Sequence, residues 1–454
     1  MQKEANEVLI ISIKRLLRRG ATKQLKNIIH KTHTVDLSAV FRELSPDNRG
    51  KLFSLIETLE QKGILLAKLE ESTFLDLVKT INFEELVLIF DEIPADDAAE
   101  LLGMLDEEFS DEILEKMKTK GSDDVEELMS HAEDTAGSLM MPDFIALRED
   151  MGAREVINAL QNKFLDVEMP FYIYVIDEYD KLVGVSSLRQ LVVVHPEKPL
   201  KEFMARDIVS VKTYTDREEV AKVVSRYDYL AVPVVDDDNR IVGIVTVDDV
   251  IDILHDSATE DMLKMAGVGE DYIETQTIVR GAKIRLPWLF ASFLGGIATF
   301  FIIDRNEAII TQYACLAAFT PVISGMGGNI ATQSSTIVVR GIATGMINIR
   351  AFWKIISKEL SIGLSLGVFY GVFIGIITSV VYKSQPFFLP LAVSVGLAVL
   401  ASMALAAFLG SGIPLVFEKM HIDPAVATGP FVTTMVDIVS ISCYFLIATI
   451  MLHF

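Results

Sequence analysis

The sequence predicts a multidomain membrane protein, with an all-α N-terminal solenoid, a duplicated α/β region and an α-helical five-span transmembrane domain. Three observations carry this reading. Long uncharged runs crowd the C-terminal part, acidic residues crowd the rest, and one pattern of strands and turns occurs twice between them. From Lys283 onward there are nine Lys and Arg against six Asp and Glu, whereas residues 1–282 hold 32 against 57. One part is built for water and the other for lipid. The split excludes a single globular enzyme domain and a disordered chain, and the acidity excludes a nucleic-acid binder, which needs clustered positive charge. Cys315 and Cys443 lie far apart in apolar stretches, with neither a disulfide framework nor metal spacing.

Residues 1–135 read as helices. Leu and Ile recur at three- and four-residue spacing between acidic turns such as DEIPADDAAE, and Pro or Asp opens several segments. His30, His33 and His131 are isolated there, and no nucleophile motif or phosphate loop occurs, so an enzyme is not expected.

Residues 172–192, YIYVIDEYDKLVGVSSLRQLV, match 231–251, AVPVVDDDNRIVGIVTVDDVI, at a spacing of 59. Each is an apolar strand, an acidic turn, a second strand and a helix start, and each follows a helix-patterned stretch. The repeat resembles CBS modules, with a first module at 136–200 and a second at 201–256. The resemblance implies an adenosine-nucleotide cleft in which an Asp after the second strand reaches the ribose. The second repeat keeps that position, with Thr246 and Asp249, whereas the first has Ser187 and Gln190. ATP is therefore a possible ligand of the pair at the second repeat.

Residues 257–284 form a helix-patterned connection, and 285–454 form the membrane domain. Uncharged runs cover 286–303, 308–339, 360–382, 384–417 and, apart from Asp437, 424–454. Each reaches the roughly 18 residues needed to cross a bilayer. Lys283, Arg285, Arg340, Arg350, Lys354, Lys358 and Lys419 fall on one side of these spans, and Arg305 and Lys383 on the other. By the positive-inside rule the acidic part and the N-terminus face the cytoplasm of a cell membrane, and the C-terminus, His453 and Phe454, lies outside. No signal segment opens the sequence, which agrees with that orientation.

Pro321, Pro414 and Pro430 interrupt spans rich in glycine, as expected of helices lining a cavity. Asp437 lies within the last span, where a carboxylate costs about 2.5–3.5 kcal/mol on insertion scales. No Lys or Arg lies at its depth, so a mobile cation is the natural counter-charge. Thr433 is one helical turn earlier, and Asn329, Thr332 and Gln333 give the second span a polar segment. Oxygen ligands favour a hard ion such as Mg²⁺, which keeps its waters and binds through one or two carboxylates. One Asp per chain builds no cage, so two or more chains sharing an axis are expected.

The whole chain resembles the MgtE family of magnesium channels and transporters, most specifically in PVISGMGGNIATQSSTIVVRGIATG at 321–345 and DPAVATGPFVTTMVDIVS at 423–440. The resemblance implies a homodimer with the ion path on its two-fold axis, the pore aspartate at Asp437 and a polar pore position at Asn329. It also implies that cytosolic Mg²⁺ bridges the acidic domains and the connecting helix to shut the pore. The matching carboxylates are Asp216, Glu218, Asp228, Asp249, Asp252, Glu260, Asp261 and Asp423, with Asp91 and Asp96 in the N domain. His255 and Ser257 stand where the family often carries further carboxylates. The alternatives are a transporter of another divalent ion, such as Co²⁺ or Mn²⁺, and a membrane-bound nucleotide sensor without conduction.

Overall fold

A computed structural model describes residues 2–164, 171–268, 278–347 and 349–452. It divides into two compact units, Met1–Leu254 and His255–Phe454.

The first unit opens with ten helices: α1 (Gln2–Arg19), α2 (Thr22–Lys31), α3 (Thr34–Arg42), α4 (Pro46–Phe53), α5 (Leu59–Ala67), α6 (Glu71–Val78), α7 (Phe83–Phe90), α8 (Ala95–Gly103), α9 (Glu107–Lys116) and α10 (Thr119–Met129). Their short length follows from regular punctuation. The side chains of His33, Thr58 and Asn82 accept hydrogen bonds from the first-turn amides of α3, α5 and α7, and Pro46 opens α4. Each helix is too short to be stable alone, so burial of one apolar face holds the stack together. Leu37, Phe41, Leu52, Leu65, Phe74, Leu86 and Phe90 form that face.

After α11 (Ala136–Leu139) come two modules of equal construction. The first holds β1 (Ala146–Arg148), α12 (Ala153–Lys163), β2 (Tyr172–Ile176), β3 (Leu182–Ser187) and α13 (Leu188–Val193). The second holds β4 (Val211–Lys212), α14 (Arg217–Tyr227), β5 (Ala231–Val235), β6 (Ile241–Thr246) and α15 (Val247–Met265). Each sheet has three strands, the first pair parallel and the second antiparallel. Tyr174 pairs with Val185 and, 59 positions on, Pro233 pairs with Ile244. Even the bulges coincide, between Val175 and Ile176 and between Val234 and Val235. The two modules are thus built alike, and the second shares one apolar cluster with the N-terminal helices.

The second unit is a bundle of α16 (Ile278–Arg305), the short α17 (Glu307–Gln312), α18 (Leu316–Ala343), α19 (Phe352–Val381), α20 (Phe388–Lys419) and α21 (Gly429–Leu452). The centre is α20, 56% of whose apolar window is buried, against 6% for α16 and 17% for α19. Those two turn Phe290, Phe293, Phe369 and Phe373 outward, as lipid-facing helices do. Four of the described helices, α16, α19, α20 and α21, are long and apolar enough to cross a membrane. The fifth expected span differs. Its helix, α18, has 28 residues but carries Asn329, Thr332, Gln333, Ser334 and Ser335 through its middle. The expected proline breaks differ as well, because α18 and α20 continue through Pro321 and Pro414. At the first, the Ala317 carbonyl that Pro321 leaves without its amide accepts from the Thr320 hydroxyl at 2.8 Å. The C-terminal His453 and Phe454, and part of the connection, 269–277, lie outside the described residues.

Candidate ion passage and acidic sensor

Asp437 sits near the middle of α21, half-buried, and its Oδ1 accepts a hydrogen bond from the Ser324 hydroxyl of α18. Close helix approach makes this pairing possible. A Cβ on Gly327 would lie 2.6 Å from Ser402 Oγ and 2.9 Å from Ser440 Oγ, so only glycine fits there. In that space Ser402 of α20 donates to the Ile323 carbonyl at 3.1 Å and shares a hydroxyl–hydroxyl hydrogen bond with Ser440 at 2.8 Å, in which Ser440 can donate. Three helices are thereby tied together one turn from Asp437. On the neighbouring side Thr434 fills the position that a Cβ on Gly295 of α16 would take. Thr433 spends its hydroxyl proton on the Gly429 carbonyl at 2.9 Å, which leaves its oxygen able to accept.

The face of α18 beside Ser324 is polar and exposed. Gly325, Asn329, Thr332, Gln333, Thr336 and Arg340 share it at helical spacing, and Gly325 and Gly328 have open space where a Cβ would project. The sequence singled out Asn329, Thr332 and Gln333; it gave no sign that Ser324 would meet Asp437, 113 positions away. A second carboxyl was also missed. Glu359 of α19 is 5% exposed and accepts from Ser334 Oγ of α18 at 2.9 Å.

In the first unit, the carboxylates of α8 and of the start of α15 gather. Asp96, Asp97 and Glu100 act electrostatically on Asp248, Asp249 and Asp252, with Lys68 among them, 3.8 Å from Asp252. Burial, then the charges of Asp97 and Asp249, push the Asp96 carboxyl up to about 7. Its Oδ1 is buried without a hydrogen-bond partner. Burial also raises Asp97 and Asp249, and Asp249 Oδ2 accepts from Thr246 Oγ1 at 2.5 Å. Among the described residues no three acidic, His or Cys side chains converge tightly enough to ligate one bare metal ion. The donor set fits a cation that keeps its water and touches carboxylates through it.

The other expected sensor residues stand elsewhere. Asp91 accepts from the Lys118 amide at 2.9 Å and opens α10. Asp216 caps α14, Glu218 pairs with Lys222 at 3.6 Å, and Asp228 ends the same helix with a left-handed φ of 52°. In the second unit the end of α15 carries Glu260, Asp261 and Lys264, and the Lys264 ammonium binds both Glu260 and Asp423, the latter at 2.7 Å. Burial works against that charge, yet the hydrogen bonds to Asp423 and Glu260 hold its pKa above the usual lysine range.

The expected nucleotide residues, Thr246 and Asp249, are thus occupied with each other and with the acidic cluster. A cavity lies at the first module. It has a volume of about 510 Å³ and is lined by Tyr172, Ser186, Ser187, Arg189 and Gln190, among others.

These features define a helical membrane protein that carries an acidic helical domain and a CBS pair. Residues 32–134 match the MgtE intracellular N domain, 136–197 and 200–256 match CBS domains, and 320–447 match MgtE, described as a divalent cation transporter. The chain is 33% identical over 452 residues to the magnesium transporter MgtE of Thermus thermophilus, covering 98% of this chain and 99% of that relative. It is 32% identical over 457 residues to the magnesium transporter MgtE of Bacillus subtilis, covering 100% and 99%. A solved structure of the cytosolic domain of the Mg²⁺ channel MgtE in complex with ATP matches at 35% identity and a TM-score of 0.51, covering 54% of this chain and 99% of that one. The chain belongs to the MgtE family.

Proposed function

We propose that this protein conducts Mg²⁺ across a cell membrane as a homodimer, with the passage between two copies on their two-fold axis. The observation that carries this reading is the exposed polar stripe of α18 beside Asp437, which includes the side-chain amides of Asn329 and Gln333. Hydrocarbon cannot satisfy the side-chain amides of Asn329 and Gln333, so the stripe needs water and a second copy. Asp437 and Thr433 then offer oxygen to a hydrated divalent ion, and the membrane potential contributes roughly 2.3 kcal/mol per charge per 100 mV to its entry. The acidic unit and N-terminus face the cytoplasm, and the C-terminus faces outside.

In this reading cytosolic Mg²⁺ closes the passage. Asp96, Asp97 and Glu100 repel Asp248, Asp249 and Asp252 unless a cation lies among them, and α15 continues from these carboxylates toward Glu260 and Asp261. Asp91, Asp216, Glu218 and Asp228 serve the same response as outer parts of the acidic surface. The ATP in the related cytosolic-domain structure supports nucleotide binding at the CBS pair, with the cavity beside Arg189 as its place here. The family description, a divalent cation transporter, also keeps Co²⁺ and Mn²⁺ as competing cargo.

Flux into proteoliposomes tests the reading. Asp437→Ala should abolish Mg²⁺ uptake while the dimer still assembles, and undiminished uptake would remove Asp437 from the passage.

A further inference from the structure

Among the described residues, Ser324 is the sole hydrogen-bond donor to the Asp437 side chain, and it engages only Oδ1. The approach of α18 to α20 and α21 at Gly327 fixes Ser324 in this position, since Ser402 anchors the carbonyl of the preceding residue, Ile323. The hydrogen bond takes one lone pair of Oδ1 and pins the orientation of the carboxyl, so an ion that seeks both oxygens competes with it. That competition matters for ion choice. Ca²⁺ accepts carboxylates in bidentate fashion at 2.3–2.6 Å and sheds water for them, whereas Mg²⁺ keeps several waters and takes one oxygen per carboxylate.

We propose that Ser324 is a specificity-determining residue of the passage: by holding Oδ1 it competes with chelation of an ion through both oxygens of Asp437, and so favours a hydrated Mg²⁺ over Ca²⁺. The inference rests on the reading of Asp437 as the residue that meets the ion. Ser324 acts through Asp437 as a positioning residue and need not touch the ion.

The test is Mg²⁺ and Ca²⁺ flux into proteoliposomes of the full chain, compared as a ratio. Ser324→Ala should raise Ca²⁺ relative to Mg²⁺ by about tenfold or more, the size expected for one hydrogen bond to a charged group. Ser324→Thr keeps the hydroxyl and should retain the parent ratio, and Ser324→Cys, a weaker donor of similar shape, should fall between them. An unchanged ratio in Ser324→Ala, or an equal shift in Ser324→Thr, overturns the proposal. If Ser324→Ala does not assemble, a parent-like ratio in Ser324→Cys overturns it, and an intermediate ratio supports it. Asp437→Ala is measured alongside. Full flux in that variant sinks the passage itself, whereas lost flux with an unmoved Ser324→Ala ratio sinks only the role of Ser324.

Discussion

The ammonium of Lys264 lies 2.7 Å from Asp423, 159 positions further along the chain, and binds Glu260 on its own helix as well. Two carboxylates that the family resemblance assigns to Mg²⁺ are thus joined by a cation the chain supplies itself. Lys264 has a side-chain exposure of 29% and Asp423 one of 36%, so the pair is worth about 1 kcal/mol. Replacing Lys264 with Met should loosen the end of α15 at low Mg²⁺ and lower the Mg²⁺ concentration that protects it. Protease protection of α15 against Mg²⁺ checks both shifts, and a parent-like titration would show the lysine to be a bystander.

Asp96 gives a pH dependence of known sign. Burial lifts its carboxyl above its ordinary value to about 7, so the packed state favours the protonated form. The stabilisation is complete below about pH 4, declines as pH rises through about 7 and is lost above that. Asp96→Asn mimics the protonated side chain. It should stabilise the first unit at pH 8 by on the order of 2 kcal/mol, allowing for solvent screening, and flatten the pH dependence over that window. Hydrogen exchange of α8 in the full chain, at pH 5 and pH 8, measures it.

Gly327 tests the packing behind the passage. Its Cβ position lies within 3 Å of two serine oxygens, so Gly327→Ala must either turn Ser402 and Ser440 out of their hydrogen bond or push α18 off α20 and α21. A loss of about 1–3 kcal/mol is expected, read as a lower melting temperature in detergent, with Mg²⁺ flux reduced as well. A variant of unchanged stability would mean that the serines move aside freely.

The nucleotide cavity makes a contrast between the two CBS modules. Arg189→Ala should weaken ATP binding at least fivefold, by removing a cation from the cavity wall, while Asp249→Asn leaves it within twofold. Calorimetry on the full chain decides the matter, and the reverse pattern would return the nucleotide to Thr246 and Asp249.

The duplicated module was legible because its signal is local. Strand, turn and strand recur within 21 residues, and the spacing of 59 carries through to the pairing of Tyr174 with Val185 and Pro233 with Ile244. Asp437 was legible for a different reason, since an ionisable group in an apolar run is conspicuous by solvation alone. Ser324 and Glu359 were not. A hydroxyl is inexpensive anywhere in a helix, where it can bond its own backbone, so its bond to Asp437 leaves no mark on the sequence. Glu100 and Lys264 escaped for the same cause as most long-range partners: each looks like a solvated charge until folding brings α8 beside α15, or α15 beside Asp423. Thr246 and Asp249 were legible from the repeat, which sets them three positions apart at the start of α15, where they hydrogen-bond to each other.

The uncovered polar ribbon on α18 bears on how this protein is made. If the proposed dimer forms the passage, a newly inserted copy alone in the bilayer offers the side-chain amides of Asn329 and Gln333 to acyl chains that return nothing, and it stays vulnerable until it meets its twin. Survival of the nascent protein should therefore rise with its abundance per area of lipid, and dilution into excess lipid should unravel it even when temperature, salt and pH are kind.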